Sequence, residues 1–429
     1  MNPEPVMTVD IDQNRYLPVG GATVDAIVTV TSDGGKGGGA AASRIAEAIM
    51  IDCSGSMGEG KLAAAQEAAC VAVDTLRDGV GFAIIAGTGR ARMGYPSGPE
   101  TVPASALTRA AAKQRIAELR ADGGTAMGSW LRLANMVLGG EPGVIRHAIL
   151  LTDGKNEHET AAELDAVLAE CSGRFSCDSR GVGHGWWAAD LMKIAEALLG
   201  TAGGMKDPAQ LPADFQAIIE AAMGRTTPDV VLRVWTPVGA KVHFLKQMYP
   251  EILDLTDRRT EAGTRIGEYP TGAWGAETRE YHLCVRLEPG EIGDELLAAR
   301  VRVVQQDREL AQGLVEAEWT DDVARPTEIN HKVAHYSGQD ELAAAIQEGL
   351  AARDAGDVDR ATAKLGRAVA LAEAHGRRET AKLLAKVVHV IDPVNGTVRL
   401  RNHSDNRDLD IDSEMAKVAT NRTQRLTPR

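Results

Sequence analysis

Aromatic residues are scarce in this 429-residue chain, at 4% of the total. Its interior must be filled mostly by small aliphatic side chains, and Ala and Gly are plentiful. Cysteine is rarer still. The five present, Cys53, Cys70, Cys171, Cys177 and Cys284, are an odd number at irregular spacing. That pattern reads as reduced thiols of a cytoplasmic protein and not as a disulfide framework. No segment approaches about 18 uninterrupted apolar residues, so no membrane insertion is expected. The opening Met1-Asn2-Pro3-Glu4-Pro5 has neither a basic nor an apolar leader region. Positive charge is in deficit, and a formal net charge of -13 makes a nucleic-acid partner unexpected.

What is present is ordinary globular material. Apolar residues make up 44% of the chain, enough for a sizeable core. The length leaves room for two or three domains of roughly 100–200 residues each. Residues 1–32 contain two alternating or apolar runs, Val6 to Ile11 and Val24 to Val30, that read as β-strands. A glycine-rich linker spans 33–43. From 44 to 225, short apolar strands alternate with helical stretches, as in Ala46 to Ile51 followed by Lys61 to Arg77. This alternation predicts α/β architecture, with a doubly wound, Rossmann-like parallel sheet covered on both faces. From 226 to 335 the helices stop and strands follow one another, which predicts an all-β sandwich. The N-terminal strands are expected to complete it, with the α/β domain inserted between. Leu342, Ile346 and Leu350, then Leu365, Ala368 and Leu371, mark a helical hairpin within a C-terminal helical bundle at 338–390. It resembles one tetratricopeptide-type helix pair. Residues 391–429 read as a polar tail, partly disordered.

Three separated segments carry the chemistry. Ile51-Asp52-Cys53-Ser54-Gly55-Ser56-Met57 ends one apolar strand. Asp122-Gly123-Gly124-Thr125 is a glycine turn that opens a helix. Leu150-Leu151-Thr152-Asp153-Gly154 ends another apolar strand. In a doubly wound sheet such strand ends share one crevice. Asp52, Ser54, Ser56, Thr125 and Asp153 could then converge, and all five offer oxygen, the donor preferred by Mg²⁺ and tolerated by Mn²⁺.

On these motifs the segment at about 45–225 resembles a von Willebrand factor A domain with a metal-ion-dependent adhesion site. All three pieces occur in the family's order on the matching elements. The wider chain resembles intracellular actinobacterial proteins in which this domain accompanies a β-rich segment and a helical tail. The resemblance implies that Ser54 and Ser56 bind Mg²⁺ (or Mn²⁺ or Ca²⁺) directly. It implies that Thr125 binds directly once a ligand is engaged, and that Asp52 and Asp153 accept hydrogen bonds from waters on the ion. It further implies no catalysis. A protein partner would present Asp or Glu to the open coordination position, within a scaffold or adaptor role.

Other readings stand beside this one. A strand ending in Asp also begins a metal-dependent phosphatase-like hydrolase motif, but the second acid that motif requires is Ser54 here, and a hydroxyl does not titrate usefully. Ser56 lacks the Gly-x-Ser-x-Gly elbow, because position 54 is Ser. The glycines around Lys36 lack the spacing of a phosphate-binding loop. Cys171 and Cys177 read as buried thiols, with a redox pair as the alternative. His184, Trp186 and Trp187 read as helix anchoring, with partner contact as the alternative. In the tail, Thr420 and Thr423 sit among basic residues, and Leu426 follows Thr423 by three. Phosphorylation there would create a docking peptide for a forkhead-associated domain.

Overall fold

Strands in this chain are short apolar runs that end at glycine or an acid, and helices follow where Ala and Leu recur at three- and four-residue steps. In the computed structural model, the structure describes residues 6–35, 44–58, 60–328, 330–402, 404–406 and 408–426. The segment around Lys36 lies outside them.

The elements in chain order begin with strands β1 (Met7–Gln13), β2 (Tyr16–Pro18) and β3 (Thr23–Asp33). The α/β region follows with β4 (Ile45–Asp52), α1 (Lys61–Thr75), β5 (Gly81–Gly87), β6 (Arg92–Tyr95), β7 (Val102–Pro103), α2 (Ala106–Ala117) and α3 (Met127–Leu138). It continues through β8 (Ile145–Thr152), α4 (Ala161–Cys171), β9 (Ser176–Val182), α5 (Ala188–Ala197), β10 (Ala202–Met205) and α6 (Leu211–Met223). Strands β11 (Thr227–Trp235), β12 (Lys241–Tyr249), β13 (Leu253–Asp254), β14 (Thr260–Gly263), β15 (Ile266–Trp274), β16 (Ala276–Arg286), β17 (Glu295–Gln305) and β18 (Arg308–Thr320) come next. The chain closes with α7 (Ala324–Thr327), α8 (His331–Asp354), α9 (Val358–Ala374), α10 (Arg378–Val387), β19 (Val388–Asp392), β20 (Thr397–Leu400) and α11 (Leu409–Ala419).

These elements form two units. One comprises Ala40–Pro228 with Asp408–Val418, the other Met1–Gly39, Asp229–Arg407 and Ala419–Arg429.

The α/β unit is built on a sheet of order β10-β9-β8-β4-β5-β6, with β7 also on β5. Strands β10, β9, β8, β4 and β5 pair in parallel. Every residue of β4 is buried, which is why, apart from Glu47 and the terminal Asp52, its sequence runs apolar without alternation. Trp130, Leu131, Leu164, Leu191 and Ile194 from α3, α4 and α5 pack on Met50, Ile85 and Leu150 of the sheet. Each such buried side chain stabilises the unit by roughly 1.5–3 kcal/mol. Helix α1 packs on β4 and against α6. The strand order reverses at β4, with β5 on one side and β8 on the other. A crevice therefore opens at the C-terminal ends of β4 and β8.

Among the described residues the second unit contains two large sheets, β1-β3-β16-β12-β13 and β14-β15-β11-β17-β18-β2, and the small sheet β19-β20. Antiparallel pairs are β1 with β3, β3 with β16, β16 with β12, β12 with β13, β14 with β15, β11 with β17 and β17 with β18, whereas β18 pairs with β2 in parallel. Helices α8 and α9 form an antiparallel hairpin that turns at Gly356, whose φ of 77° suits a residue without a side chain. The fold class read from the sequence is the one the structure shows.

The region from 391 onward differs from its sequence reading and is not a uniform polar tail through Leu426. Strand β20 pairs with β19. Helix α11 buries Leu409, Ile411, Ala416 and Val418, and Ile411 and Val418 join the α/β core. Its six apolar residues are interleaved with Asp410, Asp412, Glu414 and Lys417, so no clear apolar stripe stood out. Beyond α11 the chain is held within the second unit. Asn421 O accepts from Ile252 N at 2.7 Å, and Gln424 N donates to Gln339 Oε1 at 3.1 Å. Arg425 Nε lies 3.0 Å from Glu280 Oε1.

Candidate metal centre

The site grows from the two strand ends at the crevice. Strand β4 delivers Asp52, and the turn after it carries Ser54 and Ser56. Asp52 and Ser54 are buried, while Ser56 is exposed. Asp52 Oδ1 accepts the backbone N–H of Ser54 at 2.7 Å, and its Oδ2 accepts the Thr152 hydroxyl at 2.6 Å. Both oxygens of Asp52 are thus committed to the protein, and the carboxylate ties β4 to β8. Its burial, with Asp153 nearby, raises its pKa above the usual carboxylate range against the lowering effect of those hydrogen bonds.

Strand β8 delivers Asp153, also buried. Its Oδ1 accepts the Ser56 hydroxyl at 2.6 Å. Its Oδ2 lies 2.6 Å from Lys61 Nζ, and that ammonium also donates to Ser56 O at 3.2 Å. The hydroxyl oxygens of Ser54 and Ser56 are 3.0 Å apart.

The glycine turn is stitched to the same place. Asp122 N donates to Cys53 O at 2.7 Å, and Gly55 N donates to Gly123 O at 2.9 Å. Gly123 adopts a φ of 87°, so glycine is required for this turn. Thr125 is buried. A methyl group on Gly154 would lie 3.5 Å from both Ser56 Oγ and Thr125 Oγ1, so these hydroxyls flank one spot. His158 covers the turn, since Thr125 N donates to its Nδ1 at 3.1 Å. The loop after Asp153 also caps α3, through Asn156 Oδ1 on Met127 N at 2.8 Å and Glu159 Oε1 on Gly128 N at 2.6 Å.

The structure therefore brings the five sequence-identified residues to one crevice. Direct contacts join Ser54, Ser56 and Asp153, while Asp52 and Thr125 stand behind them. Sequence reasoning missed Thr152, Lys61, His158, Asn156 and Glu159. The first sits in the quoted motif beside Asp153 and could have been found there. The others carried no signal, because their role depends on loop paths.

The donor set fits a hard divalent cation. Cis oxygens of an octahedron with bonds of roughly 2.0–2.1 Å are about 2.9 Å apart, close to the Ser54–Ser56 separation of 3.0 Å. Lys61 already places one positive charge against Asp153. Among the described residues no group of three or more His, Cys, Asp or Glu could hold a metal.

Other sequence candidates fall elsewhere. Trp186 is 1% exposed and packs in the α/β core, whereas Trp187 is 50% exposed with Lys155 Nζ 4.1 Å from its ring centroid. Cys171 and Cys177 are buried free thiols, held protonated by desolvation. Thr420 is buried, and the Thr423 hydroxyl donates to the backbone oxygen of Met248. Neither threonine is on a free peptide. No helix among the described residues is long and apolar enough to cross a membrane.

Comparisons with known proteins agree with this architecture. The model of the von Willebrand factor type A domain matches residues 47–203, and that of the von Willebrand factor type A C-terminal domain matches 370–413. The solved structure of a von Willebrand factor type A protein from Catenulispora acidiphila is 45% identical. The alignment covers 99% of this chain and 98% of that one, with a TM-score of 0.92. The ArnB paralog VWA2 from Sulfolobus acidocaldarius shares the fold at 15% identity, with a TM-score of 0.56 over 96% of this chain and 98% of that one. An uncharacterized Synechocystis protein, sll0103, is 26% identical over 232 residues, 52% of this chain and 53% of its own length. The chain thus spans about half of that curated relative. On the full-length match, the chain belongs to the von Willebrand factor type A family.

Proposed function

We propose that this chain is a non-catalytic, divalent-cation-dependent protein-interaction module. Ser54, Ser56 and Thr125 would hold the ion, with Mg²⁺ as the first expectation and Mn²⁺ or Ca²⁺ as substitutes. A bound ion of this kind supplies an electrophilic position for an Asp or Glu carboxylate of a partner protein, because hydroxyl ligands leave its charge largely uncompensated.

The observation that carries this reading is the Ser54–Ser56–Asp153 chain of oxygens at 3.0 and 2.6 Å. Around it, the residues divide the work. Asp52 and Thr152 fix the relative position of the two strand ends. Lys61 holds one oxygen of Asp153 and leaves the other directed at Ser56. Trp187, exposed beside Lys155, offers an apolar anchor on the same unit, and exposed aromatics commonly dominate partner binding.

A hydrolase reading has less support. Asp52 has both oxygens engaged by Ser54 and Thr152, which leaves it no lone oxygen aimed at a substrate. A phosphothreonine-docking role would require Thr423 to leave its carbonyl acceptor first. The function we favour is that of a scaffold or adaptor.

Calorimetric titration of Mg²⁺, Mn²⁺ and Ca²⁺ into the purified chain tests the metal half. Saturable binding that the Ser54→Ala/Ser56→Ala double variant loses supports it, and equal binding by both proteins refutes it. Capture of the same partners from a lysate with Mg²⁺ and with EDTA would refute the partner half.

A further inference from the structure

The outer face of the β14-β15-β11-β17-β18-β2 sheet carries an unusual concentration of arginine. Strands β11 and β17 pair Arg233 with Arg302 and Trp235 with Arg300. Val230, Leu232, Val234, Val301 and Val303 are buried. Strand alternation therefore sends the three arginines and Trp235 to the opposite face together. With Ile266 they line a cup of about 220 Å³. Like charges directly opposite in a sheet are destabilising, so a pairing of Arg233 with Arg302 needs compensation.

Part of that compensation is internal. Arg233 pairs with Glu268 and, at 2.7 Å, with Asp307. Arg302 Nε lies 3.2 Å from Glu309 Oε2, close enough for charge attraction but without hydrogen-bond geometry, so this buried Nε lacks a hydrogen-bond partner among the described residues. Arg300 has no carboxylate partner among the described residues, and its Nε is buried without a hydrogen-bond partner. A buried polar group in that condition calls for a reason. Arg265 stands 5.2 Å over the Trp235 ring and likewise has no carboxylate partner among the described residues. Arg265 is exposed and lies outside the lining of the cup, but Arg300, with a buried unpartnered Nε among two further arginines that line it, is not explained by packing, on a chain of net charge -13.

We propose that this cup binds a phosphomonoester. Guanidinium forks match phosphate oxygens with paired hydrogen bonds. A phosphomonoester carries about -1.5 to -2 charge at neutral pH, which matches a cup lined by three guanidinium groups better than a single carboxylate does. Ile266 and Trp235 supply apolar surface for a short or planar stem. The cup lies wholly in the second unit, so the proposal is independent of the metal reading.

The test uses the full chain with phenyl phosphate, inorganic phosphate and benzoate as probes, read by calorimetry and phosphorus NMR line broadening. Phenyl phosphate is expected to bind saturably, and benzoate about tenfold more weakly or worse. Arg300→Gln should weaken phenyl phosphate about tenfold, with Arg300→Lys in between. Circular dichroism and metal titration should be unchanged in both. If Arg300→Gln does not fold, Arg300→Lys and Arg302→Gln carry the same comparison. A short phosphotyrosine peptide that binds more tightly than phenyl phosphate assigns the ligand to a protein, and weaker binding assigns it to a small molecule. No saturable binding of phenyl phosphate, benzoate binding equally well, or full binding by the arginine variants would overturn the proposal.

Discussion

Lys61 and Asp153 form an ion pair at 2.6 Å in which the carboxylate is fully buried and the ammonium is one quarter exposed. The other oxygen of Asp153 is held by Ser56 at 2.6 Å. Removing Lys61 leaves a buried carboxylate without its charge partner. Lys61→Met should therefore lower stability by about 2 kcal/mol in EDTA, less than for a fully buried pair because water reaches the ammonium. A divalent cation near Asp153 would replace the lost charge. The gain in Tm on adding Mg²⁺ should accordingly be larger for Lys61→Met than for wild type. Equal gains in thermal unfolding would separate Lys61 from the metal site.

The hydroxyls make a second prediction. Ser54→Ala, Ser56→Ala and Thr125→Ala each remove one oxygen donor. Each should reduce the Mg²⁺-dependent rise in Tm, and the Ser54→Ala/Ser56→Ala pair should abolish it. In EDTA, Ser56→Ala should cost about 2 kcal/mol, since it removes a hydrogen bond to the buried Asp153 carboxylate and one shared with Ser54. A double variant that keeps its full Mg²⁺ response in a thermal shift assay would contradict the assignment of these oxygens.

A buried charge cluster elsewhere in the sheet gives a pH prediction. His147 on β8 donates from Nδ1 to Glu47 of β4 and from Nε2 to Asp178 of β9, at 2.8 Å each. Burial alone would lower the His147 pKa, but the two carboxylates outweigh it and push it up to about 9 from 6.5. The stabilisation is therefore complete below pH 6.5 and lost as pH rises through about 9. Asp178 is held well below its ordinary value of 3.8, with the His147 charge and hydrogen bond opposing desolvation, so its contribution is lost only in strong acid. Denaturant unfolding at a series of pH values should show an alkaline decline. His147→Leu leaves two buried carboxylates unpaired, should cost roughly 3–5 kcal/mol, and should remove that decline. An unchanged alkaline limb would sink the account.

Much of the α/β region was legible because β4 and β8 are dominated by apolar residues, broken by Glu47 in one and by Arg146 and His147 in the other, and lead to an acid. The convergence of Asp52, Ser54, Ser56 and Asp153 was legible for the same reason, since those residues lie at or just beyond the two strand ends, whereas Thr125 comes from the separate glycine turn before α3. Lys61 was not legible, because a lysine at a helix start reads as solvent-facing until the path of the Ser56 turn is known. Helix α11 was missed because what stabilises it is Ile411 and Val418 meeting a core distant in sequence, and its apolar residues are interleaved with charged ones. Arg233 and Arg302 were 69 positions apart with no local pattern, and their register pairing alone reveals the cup.

The final prediction contrasts two glycines at the site. A β-carbon on Gly185 would fall 2.4 Å from Asp153 O, a backbone atom that no rotamer change can move. A β-carbon on Gly124 would fall 2.1 Å from the His158 ring, which is exposed and can swing away. Gly185→Ala must therefore shift the β8 end itself and should cost more, of order 2–3 kcal/mol by analogy with overpacking. Gly124→Ala should cost less but displace His158 from Thr125 N, loosening the threonine turn and weakening Mg²⁺ binding. Adding His158→Ala removes the collision but also the acceptor of Thr125 N, so the Gly124→Ala/His158→Ala double variant should regain stability relative to Gly124→Ala without regaining metal affinity. No such second-site relief exists for Gly185→Ala. Calorimetric Mg²⁺ titrations and Tm values for the three variants decide the matter, and a Gly124→Ala variant that binds Mg²⁺ as wild type would show that the His158 cover does not position Thr125.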